Sequence, residues 1–136
     1  MSKESSEQQT DKEIQQVIDE IKKKGNLNGV LFSYKEGSLI TDNLEVPLDK
    51  SIFSSMCASV LESASSLGKS SGGLILKKII TELNSQIIII IECSDQTFLV
   101  LFVNENSETK KILDDINNYI TKIILLYEQK KKKKRE

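Results

Sequence analysis

The sequence predicts an α/β protein of the α+β kind: a five-stranded antiparallel sheet flanked by helices on both faces, in the order αββαβββα. Three observations lead there. Stretches 14–21 and 112–127 repeat apolar residues at helical spacing. Residues 86–93 and 97–103 are apolar on both alternating faces, so the strands they form need cover on both sides. The links between neighbouring strand candidates are two to four residues long, which favours hairpins over crossovers. At 136 residues the chain suits one domain.

Residues 1–10 are polar and are expected to be a disordered N-terminus, with the folded domain spanning 11–129 and a basic tail 130–136. Thr10-x-x-Glu13 matches a capping box, and Ile14, Val17, Ile18 and Ile21 follow on one face. Lys22, Lys23 and Lys24 suit the negative end of a helix, and Gly25 suits the residue after it, so the first helix is predicted over 11–24. Segment 27–34, the turn Lys35-Glu36-Gly37-Ser38 and segment 39–42 read as a hairpin. Asp49 is an N-cap candidate for a second helix over 50–67, along which Ile52, Phe53, Met56, Val60, Ala64 and Leu67 recur at helical spacing. Gly68 is expected to end it, and 69–73 to be a loop. A strand over 74–83 follows, with Ile75, Ile79 and Leu83 on one face and Lys78 and Glu82 on the other. Asn84-Ser85 and Ser94-Asp95-Gln96 are turns of a meander. Asn106 or Ser107 caps a last helix over 108–129, with Ile112, Ile116, Tyr119, Ile120, Ile123 and Tyr127 on its inner stripe.

Composition excludes much chemistry. There is no His, hence no imidazole base, Ser-His-Asp triad or His metal site. Cys57 and Cys93 form no CxxC pair and no zinc set, and both read as reduced core residues. No cofactor, metal or catalytic residue is expected, and the chain reads as non-enzymatic. The polar start is expected to carry no signal peptide, and the longest apolar run, 87–91, is far shorter than the ~20 residues of a membrane span. A cytoplasmic protein is expected.

Net charge is −1, but 130–136 holds six cations and one anion, leaving 13 basic and 19 acidic residues in 1–129. An acidic body does not suit specific nucleic-acid binding. The tail has three readings: a solubilising end, an electrostatic anchor to an anionic membrane surface, or a non-specific contact with phosphates. Gly68-Lys69-Ser70 lacks the upstream Gly and the strand-then-helix order of a phosphate loop. The Ser and Lys residues of 51–71 are near one another in sequence only, and Asp19/Glu20 and Asp114/Asp115 diverge on their helices.

The Ser/Ala-rich helix and the strand after it carry the strongest signal. Ala58, Ser59, Ser63 and Ala64 beside Met56 and Val60 give a face open to close approach, and a following edge strand invites a second chain. The alternative is that this small face packs on its own sheet.

In its order of elements over 11–127 the sequence resembles the roadblock (dynein light chain) family. The resemblance rests on the opening amphipathic helix, Leu27-Asn28-Gly29-Val30-Leu31-Phe32-Ser33 leading to Glu36-Gly37-Ser38-Leu39-Ile40, the Ser/Ala-rich helix, and the Gly72-Gly73 loop into the strands and last helix. It implies two helices on one sheet face and one on the other. It also implies a homodimer seam of Met56, Val60, Ser63, Ala64, Leu74, Leu76, Lys78 and Ile80, and a non-catalytic scaffold that binds a small Ras-like GTPase and modulates its nucleotide cycle. The outward residues Ser55, Ser59, Glu62 and Ser66 would meet that partner. The alternative is an adaptor subunit of motor or membrane-trafficking complexes, longin-like, without GTPase regulation. The single Arg, Arg135, lies in the tail, so the folded body has no arginine finger to donate.

Overall fold

The computed structural model describes residues 3–135, with side chains placed for 8–132; Met1, Ser2 and Glu136 lie outside the described residues. The elements are α1 (Lys3–Gly25), β1 (Gly29–Tyr34), β2 (Leu39–Asp42), α2 (Lys50–Ser70), β3 (Lys78–Glu82), β4 (Ile87–Glu92), β5 (Thr97–Val103) and α3 (Thr109–Arg135). The five strands form one sheet in the order β2-β1-β5-β4-β3, antiparallel throughout. This is the predicted α+β order with helices on both faces.

Alternation along the strands divides the core in two. On one face Val30, Phe32, Ile89, Ile91, Leu99 and Leu101 meet Ile14, Ile18 and Ile21 of α1 and Ile112, Ile116, Ile120 and Ile123 of α3. On the other, Leu31, Ile90, Phe98, Val100 and Phe102 meet Cys57, Ala58 and Leu61 of α2. Phe53 leans on Phe102, with ring centroids 5.1 Å apart. β5 sits in the middle of the sheet and all seven of its residues are buried.

Several boundaries differ from expectation. α1 starts at Lys3, so most of the stretch expected to be disordered is helical, and Thr10 is buried inside the helix instead of capping it. The end of α1 is a Schellman motif on Asn26, not Gly25: Leu27 N–H donates to the Lys22 carbonyl and Asn26 N–H to that of Lys23, with Asn26 at φ 49°. Gly25 serves packing, since a Cβ there would lie 2.9 Å from Leu27 Cγ and 3.2 Å from Ile112 Cβ. Asp49 caps α2 as expected, accepting from Ile52 N–H at 3.1 Å. At α3, Ser107 closes a turn with Asn104 and donates to the Asn26 carbonyl, so its side chain ties α3 to the end of α1. α3 continues through the basic tail to Arg135: Lys130 pairs with Asp11 at 2.8 Å, and Lys131 lies 5.6 Å from the Tyr127 ring centroid. The third strand is shorter than predicted, because 74–77 lie outside the ladder.

Both cysteines are buried and free. Burial pushes the Cys57 thiol up to about 11 and raises that of Cys93 further. A raised value means less thiolate at any given pH, and thiolate is the reactive form. At pH 8, a disulfide-exchange thiol reagent should therefore leave the native protein essentially unlabelled and label both thiols in denaturant. Fast labelling of the native chain would show that the thiols are accessible.

Candidate interaction surface

α2 is held on the sheet by its small residues. Ser54, with no exposed surface, places its hydroxyl 2.5 Å from that of Ser33 on β1, and Ser33 Oγ also donates to the Ser38 carbonyl. Larger side chains would keep the helix away from the strand. The inner face is thus Ser54, Cys57, Ala58 and Leu61, and the periodic stripe that includes Ile52, Met56, Val60 and Leu67 looks outward. That is the part of the small-residue face that packs on its own sheet.

At 100° per residue the outer half of α2 splits into two flanks. The apolar flank holds Ile52, Met56, Val60, Ser63 and Leu67, with Leu67 70% exposed. The polar flank holds Ser55, Ser59, Glu62 and Ser66, all exposed. Ser55 packs beside the β1–β2 turn, where Gly37 has φ +112° and a Cβ would lie 3.1 Å from Ser55 Oγ. Glu62 and Ser66 line a cleft of about 280 Å³ with Lys35, Lys69 and Glu92, in which Lys35 Nζ meets Glu92 Oε1 at 2.6 Å. The cleft therefore mixes one closed ion pair with the charges of Glu62 and Lys69. Among the described residues no three His, Cys, Asp or Glu side chains gather as a metal would require.

The sheet has two edges, and they differ. β2 is four residues long and half-buried throughout, with Asp42 paired to Lys50 at 2.8 Å and Thr41 bonded to Gln15. β3 is bare: Lys78, Ile80, Thr81 and Glu82 are exposed, and only Ile79 is half-buried. Of the nine large apolar side chains most exposed among the described residues, eight lie on α2, on the segment after it, or on and just beyond β3. Leu125 on α3 is the other. Scattered exposed apolar residues are ordinary; a set concentrated on one helix and on the free edge strand that follows it marks a contact surface.

The residues named from the sequence fall on this surface with one exception. Met56, Val60, Ser63, Leu74, Lys78 and Ile80 are exposed and Ala64 is half-buried, whereas Leu76 turns into the α2-side core. Sequence reasoning missed Ile52, Leu67, Ile75 and Leu83 as members of it. The helical spacing of Ile52 and Leu67 with Met56 and Val60 was the signal for the first two.

No family model and no curated protein matches the sequence. Solved structures match the fold. MglB from Myxococcus xanthus superposes with a TM-score of 0.80 at 17% identity, over 88% of this chain and 91% of that one. An MglB with tetrameric arrangement gives 0.82 at 14%, over 89% and 92%. A Roadblock/LC7 domain from Streptomyces avermitilis gives 0.71 at 10%, over 79% and 91%. The fold is the one shared by MglB and Roadblock/LC7 domains.

The turn that leads from α2 to β3 depends on Gly68. Its carbonyl accepts from Ser71 and Leu74 N–H, and a Cβ on it would lie 2.6 Å from the Leu74 carbonyl oxygen. Gly→Ala near the end of an exposed helix ordinarily stabilises by ~1 kcal/mol. Here Gly68→Ala should destabilise instead, a reversal of sign readable by urea unfolding.

Proposed function

We propose that this chain is a homodimeric platform, without catalysis of its own, that binds a small Ras-like GTPase and modulates its nucleotide cycle. The observation that carries the reading is the concentration of exposed apolar residues on the outer flank of α2 and along the free edge strand β3. A second copy related by a two-fold axis supplies the same two features, so helix meets helix and edge meets edge in an isologous interface. Each half-exposed Ile, Leu, Met or Val covered there returns on the order of 1 kcal/mol. The likeness to MglB and Roadblock/LC7 domains, one MglB being described in a tetrameric arrangement, supports self-association.

The GTPase surface in this reading is the polar flank, Ser55, Ser59, Glu62 and Ser66, which the apolar seam leaves exposed beside it. It supports regulation of a particular kind. The single Arg, Arg135, is the last residue of α3 and none lies on α2, so this flank has no Arg of its own to place against a transferring phosphate. A platform of this composition acts by holding the GTPase's own switch segments in one arrangement, as orientation of the attacking water requires.

Light scattering over a dilution series should give about twice the monomer's 15.3 kDa, and Val60→Glu should return the mass to one copy by burying an unpaired charge at the seam. A wild-type chain that is monomeric at every concentration would remove the dimer. Calorimetric titration with a Ras-like GTPase from the same cell, loaded with GTP or GDP, should show binding in one form at least ~10-fold tighter. Glu62→Lys should weaken it while leaving the dimer mass unchanged. A dimer that binds such GTPases in neither form would leave the scaffold without this partner.

A further inference from the structure

A two-fold dimer must settle which residues of the two edge strands face each other, and that choice decides which chains can pair. Leu83 N–H donates to the Gln86 carbonyl at 2.8 Å. Alternation in an antiparallel pair then turns the backbone groups of residues 79, 81 and 83 toward β4 and those of 78, 80 and 82 toward the open edge. The side chains of Lys78, Ile80 and Glu82 share one face, opposite Ile91, Ile89 and Ile87 on β4. α1 and α3 leave that part of the face uncovered, so all three are exposed.

A two-fold axis that continues the sheet while keeping both copies of α2 on one side is normal to the sheet. It can match only residues that point to the same face, so it passes between the two copies of one residue of β3. Centred on Ile79, it sets Lys78 against Ile80 and Glu82 against Leu76. Centred on Thr81, it sets Ile80 against Glu82 and Lys78 against Asn84. Centred on Ile80, it sets Ile80 against itself and Lys78 against Glu82, twice. Only this last register uses the edge-facing groups of all three residues within the strand while also matching charge. On the α2 side it sets Ile79 against Thr81 and Leu83 against the aliphatic stem of Lys77.

We propose that Lys78 and Glu82 fix this register, and with it the choice of an identical chain as partner. The proposal rests on the dimer reading above. The five residues Lys78-Ile79-Ile80-Thr81-Glu82 are self-complementary when read antiparallel. Among the described residues neither Lys78 nor Glu82 has an ion pair inside its own chain, so both charges are free for a second copy. A related chain without opposite charges at these two places loses both pairs, and one with like charges there is repelled.

Charge reversal tests it. Lys78→Glu sets two carboxylates against each other at both ends of the strand pair, and Glu82→Lys does the same with two ammonium groups. Each should weaken self-association about tenfold or more by analytical ultracentrifugation. The double variant Lys78→Glu/Glu82→Lys restores opposite charges and should associate as the wild type does, which also shows that the substituted strand still folds. Mixing the two single variants should give predominantly mixed dimers by native mass spectrometry, because every facing pair is then opposite in charge. A dimeric wild type whose single variants associate unimpaired and mix at the statistical share overturns the register and leaves the dimer standing. A monomeric wild type removes both.

Discussion

The structure depends on β5. Its seven consecutive residues are buried on both faces, so the central strand demands a complete layer above and below. α1 and α3 together meet that demand on one side, and α2 with Leu44, Val46 and Leu48 of the link before it on the other. The cover is therefore unequal. α2 spends its inner face on β1, β5 and β4, and apart from Ile79 and Leu76 nothing on that side reaches the edge strand. The apolar surplus left over is directional: it lies on the outer flank of α2 and along β3.

Much of this was legible in the sequence. The doubly apolar segments announced buried strands, and the short turns announced an antiparallel meander. What periodicity could not supply is which side of a stripe meets protein. Ile52, Met56, Val60 and Leu67 recur as a core stripe would, yet they look outward, because Ser54 and its small neighbours let the helix approach β1 at a hydroxyl's length. A moment locates an apolar face and is silent on whether its own sheet or another surface covers it.

Helix ends were the least legible part, for reasons that lie in tertiary contacts. Thr10 resembles a cap in isolation, but the helix continues upstream of it and Thr10 is buried. Gly25 resembles a terminating glycine, but its lack of a side chain is used by Ile112 and Leu27, and Asn26 takes the left-handed position. The lysine run resembles a loose tail, but cations suit the negative end of a helix, and Asp11, Gln96 and Tyr127 give its first members places to dock. Ile112, Asp11 and Gln96 are each remote in sequence from the residue they decide.

The same unequal cover bears on how the proposed platform would act on a partner. β3 pairs with β4 on one side only, and its side chains are mostly exposed. In a single copy it is the strand with the least holding it, and such elements open at the lowest free energy. In the proposed dimer a second copy supplies a further ladder to β3 and a cover to the outer flank of α2 at once. Ordering of the edge and association are then one event, and both copies of the polar flank become fixed relative to each other. A surface that works by holding a partner in one arrangement needs that rigidity, since orientation imposed by a mobile support is lost to the support's own motion.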